Sequence, residues 1–164
     1  MSGFTNALIS NNRNEDIPAE DDLFGMLIGE WDFEWVDNNQ KRKVQGEWIF
    51  SRVLEGRAIQ DVFICPSRFT REANPQPDGE YGTTLRIYNP RTTRWDVSYG
   101  CTGYITRLEA RREGEKIVLT NINNQNEKWV FSEITDISFH WQNVHVEKDG
   151  IWHINAELYA TRIK

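Results

Sequence analysis

From Glu30 onward the apolar positions recur every second residue. Trp31, Phe33 and Trp35 alternate with Glu30, Asp32 and Glu34, the period of a half-buried strand. Further runs at 43–53, 57–65, 81–89, 94–101, 104–112, 116–122, 127–134, 137–147 and 151–163 read as strands. They are separated by turn clusters such as Asp37-Asn38-Asn39, Leu54-Glu55-Gly56, Glu113-Gly114 and Asp149-Gly150. No strand–helix–strand alternation is present, so a parallel sheet is not expected. The pattern predicts an all-β protein, an antiparallel up-and-down barrel of about 8–10 strands with a short N-terminal helix.

The helix is expected at about 18–28. Pro18 suits a first helical turn, Glu20, Asp21 and Asp22 suit its positive end, and Leu23 to Ile28 supply apolar contacts before Gly29. Residues 1–15 are polar and Asn-rich, and are expected to be a flexible segment before one domain over 16–164. The Ser67–Glu80 loop, with Pro75 and Pro77, is longer than a hairpin needs and reads as a lid over one barrel end.

Turn lengths predict which faces point inward. A two-residue loop at Asp149-Gly150 pairs Trp152 with Glu147, Ile154 with His145, Ala156 with Asn143 and Leu158 with Trp141. Phe139, Ala160 and Arg162 extend that apolar face, while His140, Gln142, His153, Asn155, Glu157 and Tyr159 lie on the other. A three-residue turn at 54–56 puts Trp48 and Phe50 on one face with Gln60, Val62 and Ile64. It sends Glu47 and Asp61 outward. In the 81–101 pair, Thr84, Arg86, Tyr88, Trp95, Val97 and Tyr99 share a face. Leu85 and Ile87 occupy the opposite one, and the inward choice stays open.

Composition narrows the partners. The 164 residues carry 25 acidic and 19 basic side chains, a net charge of −6, which disfavours a nucleic-acid partner. No run reaches a membrane span, and no secretory signal is visible, so a cytoplasmic location is expected. Cys65 and Cys101 are then expected to be reduced. Seven Trp, eight Phe and five Tyr suit an aromatic-lined interior.

The short helix followed by Gly29-Glu30-Trp31 resembles the Gly-x-Trp signature of lipocalins and related calycin barrels. Arg162, in Thr161-Arg162-Ile163, matches the terminal Arg that those proteins pack on the Trp. The wider pattern covers the chain from Leu23, including Gly46-Glu47-Trp48, Leu54-Glu55-Gly56-Arg57, Tyr81–Arg86 and Tyr88-Asn89-Pro90. It is similar to small, mostly bacterial, lipocalin-like proteins of unknown function. The resemblance implies a barrel, a Trp31–Arg162 closure at one end and a cavity, but no substrate.

Candidate chemistry follows from these faces. Trp48, Phe50, Trp95, Tyr99, Trp141 and Trp152 are candidate cavity walls, and Gln60, Arg86, Asn143 and His145 candidate polar anchors. An inward Arg86 would favour a carboxylate ligand. No metal site is expected, because the three His lack ligand spacing. No cofactor motif is present, and catalytic residues are not identifiable. The expected function is binding of a small apolar or amphipathic molecule, with carboxylates included. Two alternatives stay open. One is a small isomerase, cyclase or decarboxylase that pairs His145 with Arg86 or Tyr99. The other is a filled barrel acting as an interaction module, with homodimerisation through its edge or mouth.

Overall fold

The computed structural model describes residues 1–164. The chain begins with helix α1 (Gly3–Leu8) and the two-residue strand β1 (Ile9–Ser10). Ten longer strands follow: β2 (Gly29–Asp37), β3 (Arg42–Val53), β4 (Ala58–Cys65), β5 (Glu80–Asn89), β6 (Arg94–Cys101), β7 (Tyr104–Glu113), β8 (Lys116–Asn121), β9 (Glu127–Ser132), β10 (Ser138–Val146) and β11 (Trp152–Arg162). Each pairs antiparallel with its chain neighbours, and β11 returns to β2, so β2–β11 close into an up-and-down barrel. Closure leaves no long free edge. β1 pairs with Arg52 and Val53 of β3, beyond the point where β2 stops at Gly29.

The expected strands are present to within two residues at each end. The N-terminal helix is present too, but at 3–8. The 18–28 segment instead makes two 3-10 turns, Ala19–Asp21 and Gly25–Leu27. It folds across one barrel end, where Ile17, Phe24 and Leu27 are buried in the main core. Phe24 packs edge-on to Trp95 at 5.5 Å between centroids. The Trp95 indole N–H donates to the Asp21 carbonyl at 2.7 Å, and Tyr88 donates to the Asp21 carboxylate at 2.6 Å. Arg52 pairs with Asp22 at 2.6 Å. A plug held by both strand walls has no need of a continuous helix.

Arg162 completes this end. Its guanidinium carbon lies 4.2 Å over the Trp31 ring. Its N–H groups donate to the carbonyls of Ile28, Met26 and Asp136 at 2.5–2.7 Å. The Trp31 indole N–H donates to Leu27 at 2.8 Å. Gly29 stands between them at φ 133°, where any Cβ would collide with the Lys164 carbonyl and the Arg162 guanidinium. Only glycine fits that approach.

Two registers differ from expectation, and each has a local cause. Val53 pairs with Ala58, not Arg57, because the connection holds four residues. Leu54, Glu55 and Gly56 all take positive φ there, at 56°, 56° and 77°. This single extra residue exchanges the faces of β4: Asp61 and Phe63 point into the barrel, and Gln60 points out. In the last hairpin, Asn143 pairs with Ala156 and Trp141 with Leu158. A bulge then intervenes, so His145 meets His153 and Val146 meets Trp152. A bulge inserts one unpaired residue and reverses side-chain parity beyond it.

The interior is strongly aromatic. Trp48 alone lies within 6.3 Å, centroid to centroid, of Phe33, Phe50, Phe63, Phe131, Phe139 and Trp141. Edge-on and tilted contacts of this kind add to the transfer free energy of each ring. A second, three-valine cluster of Val118, Val130 and Val144 is packed with Ile154. The closed ten-strand antiparallel barrel is compatible with a lipocalin-like or fatty-acid-binding-protein-like fold. No helix is long and apolar enough to cross a membrane.

Candidate functional site

Above the plug the barrel encloses a cavity of about 1050 Å³. Trp35, Trp48, Phe63, Trp129, Phe131 and Trp141 form its apolar wall. The 66–79 segment, which connects β4 to β5, lies over the mouth and lines it through Pro66, Arg71, Pro75, Gln76, Pro77 and Asp78.

Arg86 lines the cavity from β5, with 2% of its side chain exposed. The inward face of the 81–101 pair is therefore the one carrying Thr84, Arg86, Val97 and Tyr99. Arg86 Nη2 pairs with Asp61 Oδ2 at 2.7 Å, and the Asp61 side chain is fully buried. Asp61 Oδ1 accepts the Thr84 N–H at 3.0 Å. The guanidinium carbon lies 4.9 Å over the Phe24 ring and 5.2 Å over Phe50. This sets Arg86 on the cavity floor, against the plug. Burying two charges is tolerated when each serves the other, while a lone one would be expensive. Asp61, expected outside as part of a solvated surface, is thus the partner the inward Arg requires. The four-residue 54–57 connection puts it there.

Five further polar atoms on the floor and walls of the cavity share one property. Arg86 Nε and Nη1, Trp48 Nε1, Trp141 Nε1 and Tyr99 Oη are buried and have no hydrogen-bond partner. Trp48, Tyr99, Trp141 and Arg86 are each more than nine-tenths buried. Indole and guanidinium N–H groups can only donate. Burial pushes the Tyr99 phenol far above its ordinary pKa, so its O–H also stays protonated. Gly82 makes room for that ring: a Cβ there would collide with Tyr99. Buried donors without partners are rare in folded proteins and call for an explanation.

The lid is fastened at both ends. At its start, the buried Glu47 carboxylate accepts from the Ser67 hydroxyl at 3.0 Å, from the Arg68 backbone N–H at 2.7 Å and from the Arg68 guanidinium at 2.6 and 2.9 Å. Burial alone would raise the Glu47 carboxyl, but these donors together hold it below the usual range. At its end, Arg42 donates to Asp78 at 2.7 and 2.9 Å and to Gln76 at 2.9 Å. Arg42 holds the Asp78 carboxyl below its ordinary pKa. Between these latches, Arg71 Nε and Nη2 are enclosed without partners, and the guanidinium lies 5.2 Å over Tyr81.

Of the anchors expected from sequence, Arg86, Tyr99, Trp48, Trp141 and Asn143 line one cavity. Gln60 does not. It points outward and donates to Thr83 at 3.0 Å. His145 does not either: its side chain is 39% exposed, and its ring bonds Asn155 at 2.9 Å and Glu147 at 3.0 Å. Those two bonds raise its pKa, the Asn155 contact most. Trp152, expected as a wall, is 38% exposed, beyond the bulge. Trp95 lies under the plug rather than in the cavity wall. Sequence reasoning missed Asp61, Arg71 and Trp129. Trp129 alternates with the buried Phe131 and was open to discovery by parity; Arg71 sits in a loop, where parity says nothing.

Cys65 and Cys101 both line the cavity and are free thiols. Burial pushes the Cys65 thiol up to about 12, so it behaves as a small neutral wall group. No group of three or more His, Cys, Asp or Glu side chains is arranged to hold a metal ion. No family model matches the chain, and no curated protein matches it.

Proposed function

We propose that the protein binds one small amphipathic molecule inside the barrel. The observation that carries this reading is the set of buried, unpartnered donors of Arg86, Trp48, Trp141 and Tyr99 around an aromatic cavity. A buried donor left unmade costs about 1–3 kcal/mol. An acceptor-bearing ligand would recover that cost for several donors at once. The cavity volume, about 1050 Å³, suits a ligand of drug or fatty-acid size. It also speaks against a filled barrel that serves only as an interaction module.

The enzyme alternative drew its base from His145, which does not line the cavity, so the binding reading is preferred. The test is a titration of tryptophan emission with a panel of fatty acids, aromatic acids and aromatic ketones. Saturable one-to-one quenching by at least one class is expected. Flat titrations across the panel would overturn the proposal.

A further inference from the structure

The charges around the cavity are unevenly divided, and the division bears on how a ligand would lie. On the floor, the positive charge of Arg86 is matched by Asp61 at 2.7 Å, with both side chains buried. The floor is therefore a neutral pair that still offers free N–H groups on Nε and Nη1. A carboxylate brought there would be a third buried charge with no counter-charge of its own. A carbonyl would meet the free donors at no such cost.

The walls above add the free N–H groups of Trp48 and Trp141, the Tyr99 hydroxyl and the Asn143 amide, all of them uncharged. A ligand ammonium would find no carboxylate among these wall groups to balance its charge. The remaining charged lining residues all sit at the mouth. Arg42 is committed to Asp78 and Asp37, Glu80 accepts from Tyr104, and Glu72 is an exposed carboxylate with no ion-pair partner. Arg71 differs: no carboxylate lies within ion-pair distance, and its Nε and Nη2 are enclosed beside the cavity. It is the mouth cation still free to take an anion.

We propose that the cavity takes its ligand in one orientation, with an uncharged acceptor such as a ketone, quinone or amide carbonyl inward among Arg86, Trp48, Trp141 and Tyr99, and an anionic group outward on Arg71. This rests on the binding reading above. It assigns the ligand class as an apolar molecule with an anionic group at one end and a neutral carbonyl deeper in the cavity. It also reverses the role expected of Arg86, which binds a neutral oxygen while a lid arginine binds the charge.

Three matched probes separate the two contacts: 4-benzoylbenzoate, 4-benzylbenzoate, which lacks the carbonyl, and 4-benzoylbenzamide, which lacks the charge. Calorimetry should show 4-benzoylbenzoate binding about ten- to a hundredfold more tightly than 4-benzylbenzoate, as expected when buried donors lose their acceptor. Arg71→Gln should weaken the benzoate about three- to tenfold and leave the benzamide unchanged. The benzophenone carbonyl is also photoreactive, so irradiation of the wild-type complex reports its position without any variant. Adducts are expected on peptides carrying Trp48, Tyr99 or Trp141.

Adducts confined to residues 66–79, equal affinity of the ketone and methylene probes, or indifference of the benzoate to Arg71→Gln would each overturn the orientation while leaving cavity binding intact. Failure of all three probes to bind saturably at millimolar concentration would overturn the orientation. Failure of the wider ligand panel as well would overturn the binding reading beneath it.

Discussion

Arg86 and Asp61 face each other at 2.7 Å across adjacent strands of a closed barrel, with neither side chain more than 2% exposed. Each makes the other tolerable. Removing one partner strands a charge in an apolar interior, which costs about 3–5 kcal/mol, whereas replacing both with apolar groups of similar volume is often neutral or stabilising. Asp61→Ala and Arg86→Met should each lower the urea midpoint strongly, and the Arg86→Met, Asp61→Leu double variant should recover most of the loss. A cost below about 1 kcal/mol for either single variant would mean that the pair is solvated.

The outer side of the same plugged end offers a contrast between stability and binding. Arg162 satisfies three backbone carbonyls and covers Trp31 at 4.2 Å. Arg162→Ala leaves those carbonyls and the indole face without their partner, at about 2–4 kcal/mol. The thermal midpoint should fall by several degrees. Ligand affinity should not change in the fraction that stays folded, because the plug separates this end from the cavity.

Tyr99 should behave in the reverse way. Its hydroxyl is buried without a partner, so Tyr99→Phe removes an unsatisfied group and should leave stability unchanged or slightly raised. If that hydroxyl contacts ligand, affinity should fall by roughly 1 kcal/mol or more. Paired denaturation and titration curves read both effects.

The lid carries a pH dependence. The Glu47 and Asp78 carboxyls are held below their ordinary values by Arg68 and Arg42. A carboxylate with a depressed folded pKa contributes stability that is fully present above its unfolded value, about 4. That contribution is lost as pH falls through the folded value. Both latches should therefore stay closed at neutral pH and open only in acid. Amide exchange across 66–79, corrected for intrinsic rates, should accelerate below about pH 4 ahead of the strands. Glu47→Gln should produce the same loosening at pH 7. A lid whose protection tracks the strands down to pH 3 would contradict this role for the latches.

The strands were legible because alternation of side chains is a direct imprint of a half-buried sheet. Their inward faces were legible only where turn length could be read. Leu54 and Glu55 adopt positive φ without being glycine, so nothing in their identity announced a four-residue connection. That one residue decided whether Gln60 or Asp61 entered the barrel. The bulge in the last hairpin likewise leaves no mark on composition, yet its extra residue in β11 turns Trp152 away from its expected place, while His145 keeps the parity of Asn143 on β10 and lies past the cavity lining near the strand end. The plug explains the third difference. Residues 18–28 have helical chemistry, but bonds from Trp95, Tyr88 and Arg52 hold Asp21 and Asp22 in short turns. Tertiary contacts override a weak local preference there.

The most direct test uses the seven tryptophans as reporters. In a ¹H–¹⁵N spectrum with assigned indole signals, an aromatic acid such as 4-benzoylbenzoate is added to saturation. Binding in the cavity predicts large shifts for Trp48 and Trp141, whose N–H groups are free. It predicts little change for Trp31 and Trp95, whose N–H groups are already bonded to Leu27 and Asp21 at 2.8 and 2.7 Å. Shifts confined to the exposed Trp152, or to Trp31 and Trp95, would contradict a ligand site inside the barrel.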